Sequence, residues 1–312
     1  MSGPAVVALG GGHGLAASLS ALKLVSDDIT AVVTVADNGG SSGRLRDEFD
    51  VLPPGDLRMA LTALCEESEW GHIWRDVLQH RFRGGGDLGG HALGNLLIVA
   101  LWELHQEDPV AGLDLVGRLL NARGRVLPMA AVPLEIEAEV AGIDPARPDE
   151  VTRVRGQVAV ATANGRVRSI ALDPADPPAP EATVRAVERA DWVILGPGSW
   201  FTSVMPHLMV PALRAALHDT QARRLLTLNV EHAGETAGFS AAQHLETLAD
   251  HAPRLRLDIV LADPGAVDDE TGLRRAAARL GAEVVVAPVA KKDRPGQHDS
   301  LRLAAAYRDV LA

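Results

Sequence analysis

Ala5-Val6-Val7-Ala8-Leu9-Gly10-Gly11-Gly12-His13-Gly14-Leu15 is the stretch that decides the fold. Its apolar, partly β-branched start reads as a buried strand, and the glycines after it permit a tight turn into a helix. A strand closed by glycines and followed at once by a helix opens a parallel α/β sheet, with backbone N–H groups and a helix N-terminus turned toward an anion. Gly12-His13-Gly14-Leu15-Ala16-Ala17 also fits the loose dinucleotide pattern G-x-G-x-x-A, with Asp37 placed for a ribose hydroxyl. A purely structural turn at Gly10, Gly11 and Gly12 would read the same way, so the motif alone leaves both open.

Working outward, the same alternation recurs. Ile29 to Ala36 runs into Asp37-Asn38-Gly39-Gly40, and Trp192 to Leu195 into Gly196-Pro197-Gly198. Leu225 to Val230, Leu257 to Ala262 and Glu283 to Ala287 add three more apolar runs. The pattern predicts an α/β fold over residues 1–312 as a single domain, a Rossmann-like mostly parallel sheet whose second half spans 181–312. Residues 57–124 carry helical periodicity in Leu57 to Glu67, Trp74 to His80, Ala92 to His105 and Pro109 to Asn121, which predicts a helical insertion. Residues 125–175 turn to alternation, as in Glu135 to Val140 and Val158 to Ala161, with Asn164-Gly165 as a hairpin turn. A small antiparallel β appendage is expected there, followed by a proline-rich linker and a helix over Glu181 to Arg189.

Composition narrows the function. The chain of 312 residues is 47% hydrophobic and 23% charged, with one cysteine and a formal net charge of −11. A strongly acidic balance argues against nucleic acid, which demands clustered Lys and Arg. The lone Cys65 forms no intramolecular bridge. The longest apolar run, near Ala92 to Trp102, falls short of the ~20 residues that cross a bilayer, so no membrane contact is expected. Met1-Ser2-Gly3-Pro4 lacks the basic segment of a signal peptide. Cytoplasm is the expected compartment.

Ala36 to Arg46 brings together Asp37, Asn38, Ser41, Ser42 and Arg44, a set suited to sugar hydroxyls at the carboxylate and amide and to phosphate at the hydroxyls and guanidinium. Ser42 could equally cap a helix and Arg44 be solvated. Asp56 reads as the N-cap of the helix that follows; facing the crevice, it and Asp37 could share a Mg²⁺ that keeps several waters. His91 and Asn95 precede another helix as caps, packing groups or ligand contacts. Gly196, Gly198, Ser199 and Thr202 repeat the strand-then-glycine logic of the first motif. Asn229 and Gly234-Glu235-Thr236 follow a further core strand, and Ser240 with Gln243 has the spacing of a capping box. His232, His244 and His251 lack zinc spacing, and no Walker lysine is present.

In order, GGGHGL (10–15), ITAVVTVADNGGSSGRLR (29–46), LPPGDLR (52–58), GHALGNLL (90–97), ILGPGSWFTSVMPHL (194–208) and GETAGFSAAQHL (234–245) resemble the YvcK family of bacterial proteins, labelled gluconeogenesis factors. The resemblance spans nearly the whole chain, and its texture is most similar to the actinobacterial branch. It implies a CofD-like protein that binds UDP-sugars such as UDP-N-acetylglucosamine and supports cell shape and wall synthesis during gluconeogenic growth. The related CofD enzymes are 2-phospho-L-lactate transferases that use a nucleoside diphosphate donor and Mg²⁺ bound by aspartates, which supplies the alternative; an NAD-dependent oxidoreductase is a further one, without an identified proton-transfer residue.

The resemblance also implies a basic residue shortly before a His-Asp pair, a role that falls on Lys292 with His298. Two departures stand out: His13 replaces a threonine common in relatives, and Asn38 replaces an aspartate. The amide removes charge from the Asp37 site, which favours binding over metal-dependent transfer. Only Trp200 and Phe201 lie beside a motif as an aromatic platform for a deazaflavin, which points the same way. No cofactor is implied beyond Mg²⁺. A homo-oligomer and a cell-wall or regulatory protein partner stay open.

Overall fold

The computed structural model describes residues 3–106, 108–231, 234–294 and 296–312. The expectations on Met1, Ser2 and His232 lie outside them. Among the described residues, ten strands run in chain order: β1 (Ala5–Gly10), β2 (Asp28–Val33), β3 (Arg125–Pro128), β4 (Glu135–Ala141), β5 (Val151–Arg155), β6 (Arg166–Asp173), β7 (Trp192–Leu195), β8 (Arg223–Thr227), β9 (Ile259–Ala262) and β10 (Glu283–Val286). Seven form one sheet in the order β10-β9-β8-β7-β1-β2-β3, and every pairing in it is parallel. The chain builds outward from β1 through β2 to β3, then returns to the other side of β1 and builds away through β7. The order of the sheet therefore reverses between β1 and β7, where an open α/β sheet leaves a crevice at its carboxyl ends.

Burial follows from that position. All four residues of β7 and of β9 are buried, as continuous Val, Ile, Leu and Ala runs between two helical layers require. The helices Gly12–Leu22 and Ser300–Leu311 are tied to the sheet through Tyr307, whose fully buried hydroxyl lies 2.9 Å from Ser18 Oγ and 3.1 Å from Thr227 Oγ1. Between β2 and β3 come the helices Gly40–Phe49, Pro54–Leu64, Glu69–Gln79, Leu93–Leu104 and Pro109–Leu119. Among the described residues, no helix is long and apolar enough to cross a membrane.

Several expectations need correction. Residues 125–128 are not part of the appendage but the edge strand of the main sheet, paired with β2 from Thr30↔Arg125 to Val33↔Pro128. A four-residue strand is too short for its pattern to show which sheet it joins. The appendage is the antiparallel sheet β5-β4-β6. Val158 to Ala161 is not a strand but part of the short helix Gln157–Ala161. Asn164-Gly165 is not a hairpin turn, because β5 and β6 are separated by β4 rather than paired. Asp56 is not the cap of its helix: Pro53 holds that place, and Asp56 lies in the first turn.

Candidate functional site

At the switch point two glycine turns face each other. The turn after β1 leads into the helix Gly12–Leu22, whose N-cap, Gly11, has no side chain to offer the first amides. The turn after β7 contains Gly196 and Gly198 at φ of 70° and 151°, backbone that side-chain-bearing residues avoid. The turns approach so closely that a Cβ on Gly14 would overlap the Pro197 carbonyl and lie 2.7 Å from Gly198 Cα. Asn229, at the end of the next strand, fixes the second turn from both sides: its Oδ1 accepts the Gly198 N–H at 2.9 Å, and its Nδ2 donates to the Gly198 carbonyl at 2.9 Å.

A cavity of about 460 Å³ opens between these turns. His13, Gly14, Gly198, Ser199, Asn229, Glu235, Thr236 and His298 line it, so the structure brings together residues expected from four separate stretches of chain. His13 and Ser199 are exposed at its mouth, while Trp200 and Glu235 are buried. Glu235 Oε1 accepts the Phe201 N–H at 2.7 Å, which places the carboxyl under the turn that begins at Trp200. Burial pushes its pKa up to about 7, against the opposing pull of the Phe201 amide. Thr202 is buried beside this turn and Gly196 lies below it.

The opposite wall comes from the segment after β10. Asp263, at the end of β9, accepts the N–H groups of Val289 and Ala290, both at 2.8 Å, and so clamps that segment. Ala290 bridges His298 in antiparallel fashion, and Lys291 Nζ donates to Gln297 Oε1 at 3.2 Å. Lys291 lines the cavity, whereas Lys292 is exposed outside it. Nothing in a Lys-Lys pair decides which member faces inward; only the backbone pairing with Gln297 does. Burial holds the His298 imidazole below its usual pKa, which favours its neutral form. Sequence reasoning missed Glu231, Lys291 and Gln297 in the lining and Asp263 as the clamp, and it named Trp200 only as an aromatic neighbour of a motif. Asp263 ends a core strand before Pro264-Gly265, the one signal that could have drawn attention to it.

The remaining expected residues gather on the β2 side. Asp37 Oδ1 accepts the Gly39 N–H at 2.9 Å. Ser42 Oγ accepts the Gly55 N–H at 3.0 Å and so caps the helix Pro54–Leu64 from a distance. Ser41 Oγ pairs with His91 Nδ1 at 2.9 Å and accepts Asn95 Nδ2 at 3.0 Å, all three buried. Arg44 donates to the carbonyls of Asp87 and Gly89 at 3.1 and 2.8 Å, fastening a glycine-rich loop. Asn38 Oδ1 accepts the Val158 N–H at 3.1 Å, so this amide docks the appendage helix instead of facing Asp37.

Asp56 links the two groups. It accepts the Gly12 N–H, and burial, then the charge of Asp37, pushes its pKa up to about 7. A Cβ on Gly11 would lie 2.6 Å from Asp56 Oδ2, so glycine is required there. Among the described residues, no group of three or more His, Cys, Asp or Glu side chains is arranged to hold a metal ion. Asp37 and Asp56 alone fit a Mg²⁺ only if it draws its other ligands from phosphate and water.

The comparisons with known proteins agree with this architecture. The family model described as 2-phospho-L-lactate transferase CofD matches residues 6–304. The "Putative gluconeogenesis factor" of Mycobacterium tuberculosis is 54% identical over 311 residues, covering 98% of this chain and 90% of that protein. The "Gluconeogenesis factor" of Bacillus subtilis is 37% identical over 269 residues, 86% of this chain and 81% of that one. A crystal structure of a UPF0052-family protein from Bacillus halodurans superimposes with a TM-score of 0.86 at 32% identity, covering 98% of this chain and 99% of that one. With a family model matched over residues 6–304 and relatives similar over nearly the whole chain, the chain belongs to the CofD family, in the gluconeogenesis-factor group known as YvcK.

Proposed function

We propose that the chain binds a UDP-sugar, of the UDP-N-acetylglucosamine type, in the crevice between β1 and β7, and acts as a cytoplasmic regulator of cell shape and wall synthesis during gluconeogenic growth rather than turning the ligand over. The observation that carries this reading is the pair of facing glycine turns over a cavity of about 460 Å³. In a chain of net charge −11, an anion must be held locally, and uncapped amides near His13 and Gly14 and the cation of Lys291 supply the means. That volume falls within the range of small-molecule sites, roughly 300–1,000 Å³.

A second reading, a Mg²⁺-dependent transferase, draws on the family model and on the Asp37–Asp56 pair beside the first glycine turn. Calorimetry with UDP-N-acetylglucosamine, GDP, NAD and a deazaflavin acceptor, each with Mg²⁺ and with chelator, separates the two. Binding of the UDP-sugar that persists in chelator, with no product, is the expected result. Strict Mg²⁺ dependence with release of nucleoside monophosphate on adding acceptor would overturn it.

A further inference from the structure

Three residues lining the crevice carry a buried polar atom that has no hydrogen-bond partner among the described residues: Glu235 Oε2, Trp200 Nε1 and His298 Nε2. Native proteins leave few such atoms, because each gives up its hydration without gaining a bond in exchange. Three around one cavity therefore mark a place where a ligand completes the hydrogen bonding. Glu235 is only 7% exposed and Trp200 2%, so both lie deeper than His13 and Ser199 at the mouth.

The chemistry of the two depths differs. At the mouth, backbone amides and Lys291 suit a diphosphate. Below it, a carboxyl oxygen repels phosphate and accepts from O–H or N–H, the indole N–H donates, and a neutral imidazole does either. An uncharged group with several hydroxyl or amide functions meets all three, whereas a nucleobase would also want an aromatic face. Among the described residues, Trp200 is the only indole or phenyl ring in the lining, and its ring is engaged edge-to-face with His244 at 5.1 Å.

We propose that Glu235, with Trp200 and His298, forms a sugar subsite below the diphosphate, making Glu235 a specificity-determining residue that selects nucleoside diphosphate sugars over the bare diphosphate. This rests on the nucleotide-binding reading above. The Phe201 N–H fixes Glu235 Oε1, the Thr202 hydroxyl and the amides of Trp200 and Thr202 also bear on the carboxyl, and Oε2 is the oxygen that keeps no hydrogen-bond partner of good geometry among the described residues.

The test titrates the natural protein and Glu235→Gln with UDP, UDP-glucose and UDP-N-acetylglucosamine. Gln keeps an acceptor for Phe201 and nearly the same volume, but puts an NH₂ where the free oxygen stands. The natural protein should bind at least one UDP-sugar about tenfold or more tighter than UDP, a difference near 1.4 kcal/mol. In Glu235→Gln that preference should shrink several-fold while UDP affinity stays within about twofold. Equal loss for UDP and its sugars would assign Glu235 to the base or to support of the turn, and overturn the proposal. Should the variant fail to fold, UDP-glucose derivatives lacking single hydroxyls, titrated on the natural protein, serve instead: no deoxy position costing affinity would overturn it. Sugars no tighter than UDP would refute the subsite alone; no binding of UDP or its sugars would refute the nucleotide reading as well.

Discussion

The two sides of the crevice are built from the same kinds of residue and do different work. On the β2 side, Ser41, Ser42, Arg44, His91 and Asn38 point their polar atoms at one another, at helix starts and at loop carbonyls, and the unmatched Oδ1 of Asn95 lies in this cluster and not in the lining of the cavity. On the β7 side, Glu235, Trp200 and His298 each keep a buried polar atom unmatched beside an open cavity. The difference teaches that residue type and motif do not separate a ligand contact from a strut. What separates them is whether the hydrogen-bonding capacity is already engaged by the fold.

The comparison breaks most sharply at the Lys291-Lys292 pair. Lys291→Ala should weaken UDP-sugar binding by roughly 1–3 kcal/mol, as expected for loss of a charge-assisted contact to phosphate, while Lys292→Ala stays within calorimetric error. The reverse ranking would mean that the wall after β10 is arranged differently around the ligand. On the other side, Ser41→Ala leaves His91 and Asn95 without their common partner, and should lower stability by about 1–3 kcal/mol in urea unfolding with UDP-sugar affinity unchanged. Loss of affinity in a variant that retains its stability would move this cluster into the binding site.

A smaller effect comes from pH. Glu235 holds its proton up to about 7 in the folded protein, whereas the unfolded chain releases it near the ordinary carboxyl value. Its contribution is therefore favourable in acid and is lost as pH rises through about 7. Between pH 5 and pH 8 the thermal midpoint of Glu235→Gln should rise by about 2–4 °C relative to that of the natural protein, both free of ligand; identical slopes would show that the carboxyl ionises freely. The smallest effect is expected at Asn38→Asp. An aspartate there still accepts the Val158 N–H, so affinity should change less than about twofold, in Mg²⁺ and chelator alike. New Mg²⁺ dependence would place the side chain on Asp37 after all.

Most of the fold was legible because buried parallel strands and glycine turns leave strong local patterns. The run from Ala5 to Leu15 predicts the strand, turn and helix that are found, and Ser240 with Gln243 forms both bonds of its capping box. The antiparallel appendage was legible in its central strand, Glu135 to Val140, whereas the edge strand of the main sheet and the link between β5 and β6 were not. Arg125 to Pro128 takes its identity from β2, far away in sequence, and Val158 to Ala161 turns helical where the Asn38 amide receives its first turn. The candidate site was legible in its glycines, whose conformations are local, and less so in its walls. Asp263 acquires its place through its carboxylate, which accepts two backbone N–H groups of the segment after β10, and Lys291 through its backbone pairing with Gln297.

The helix Gln157–Ala161 touches both sides of the crevice. One end gives the Val158 N–H to Asn38, and the other places Ala161 in the cavity wall. At five residues it is about one and a half turns, too short to bend along its length. Ala161 in the cavity wall and the Val158 amide on the Asn38 turn therefore sit on one rigid piece of backbone. The appendage thus joins the cavity wall to a turn on the far side of the sheet's switch point.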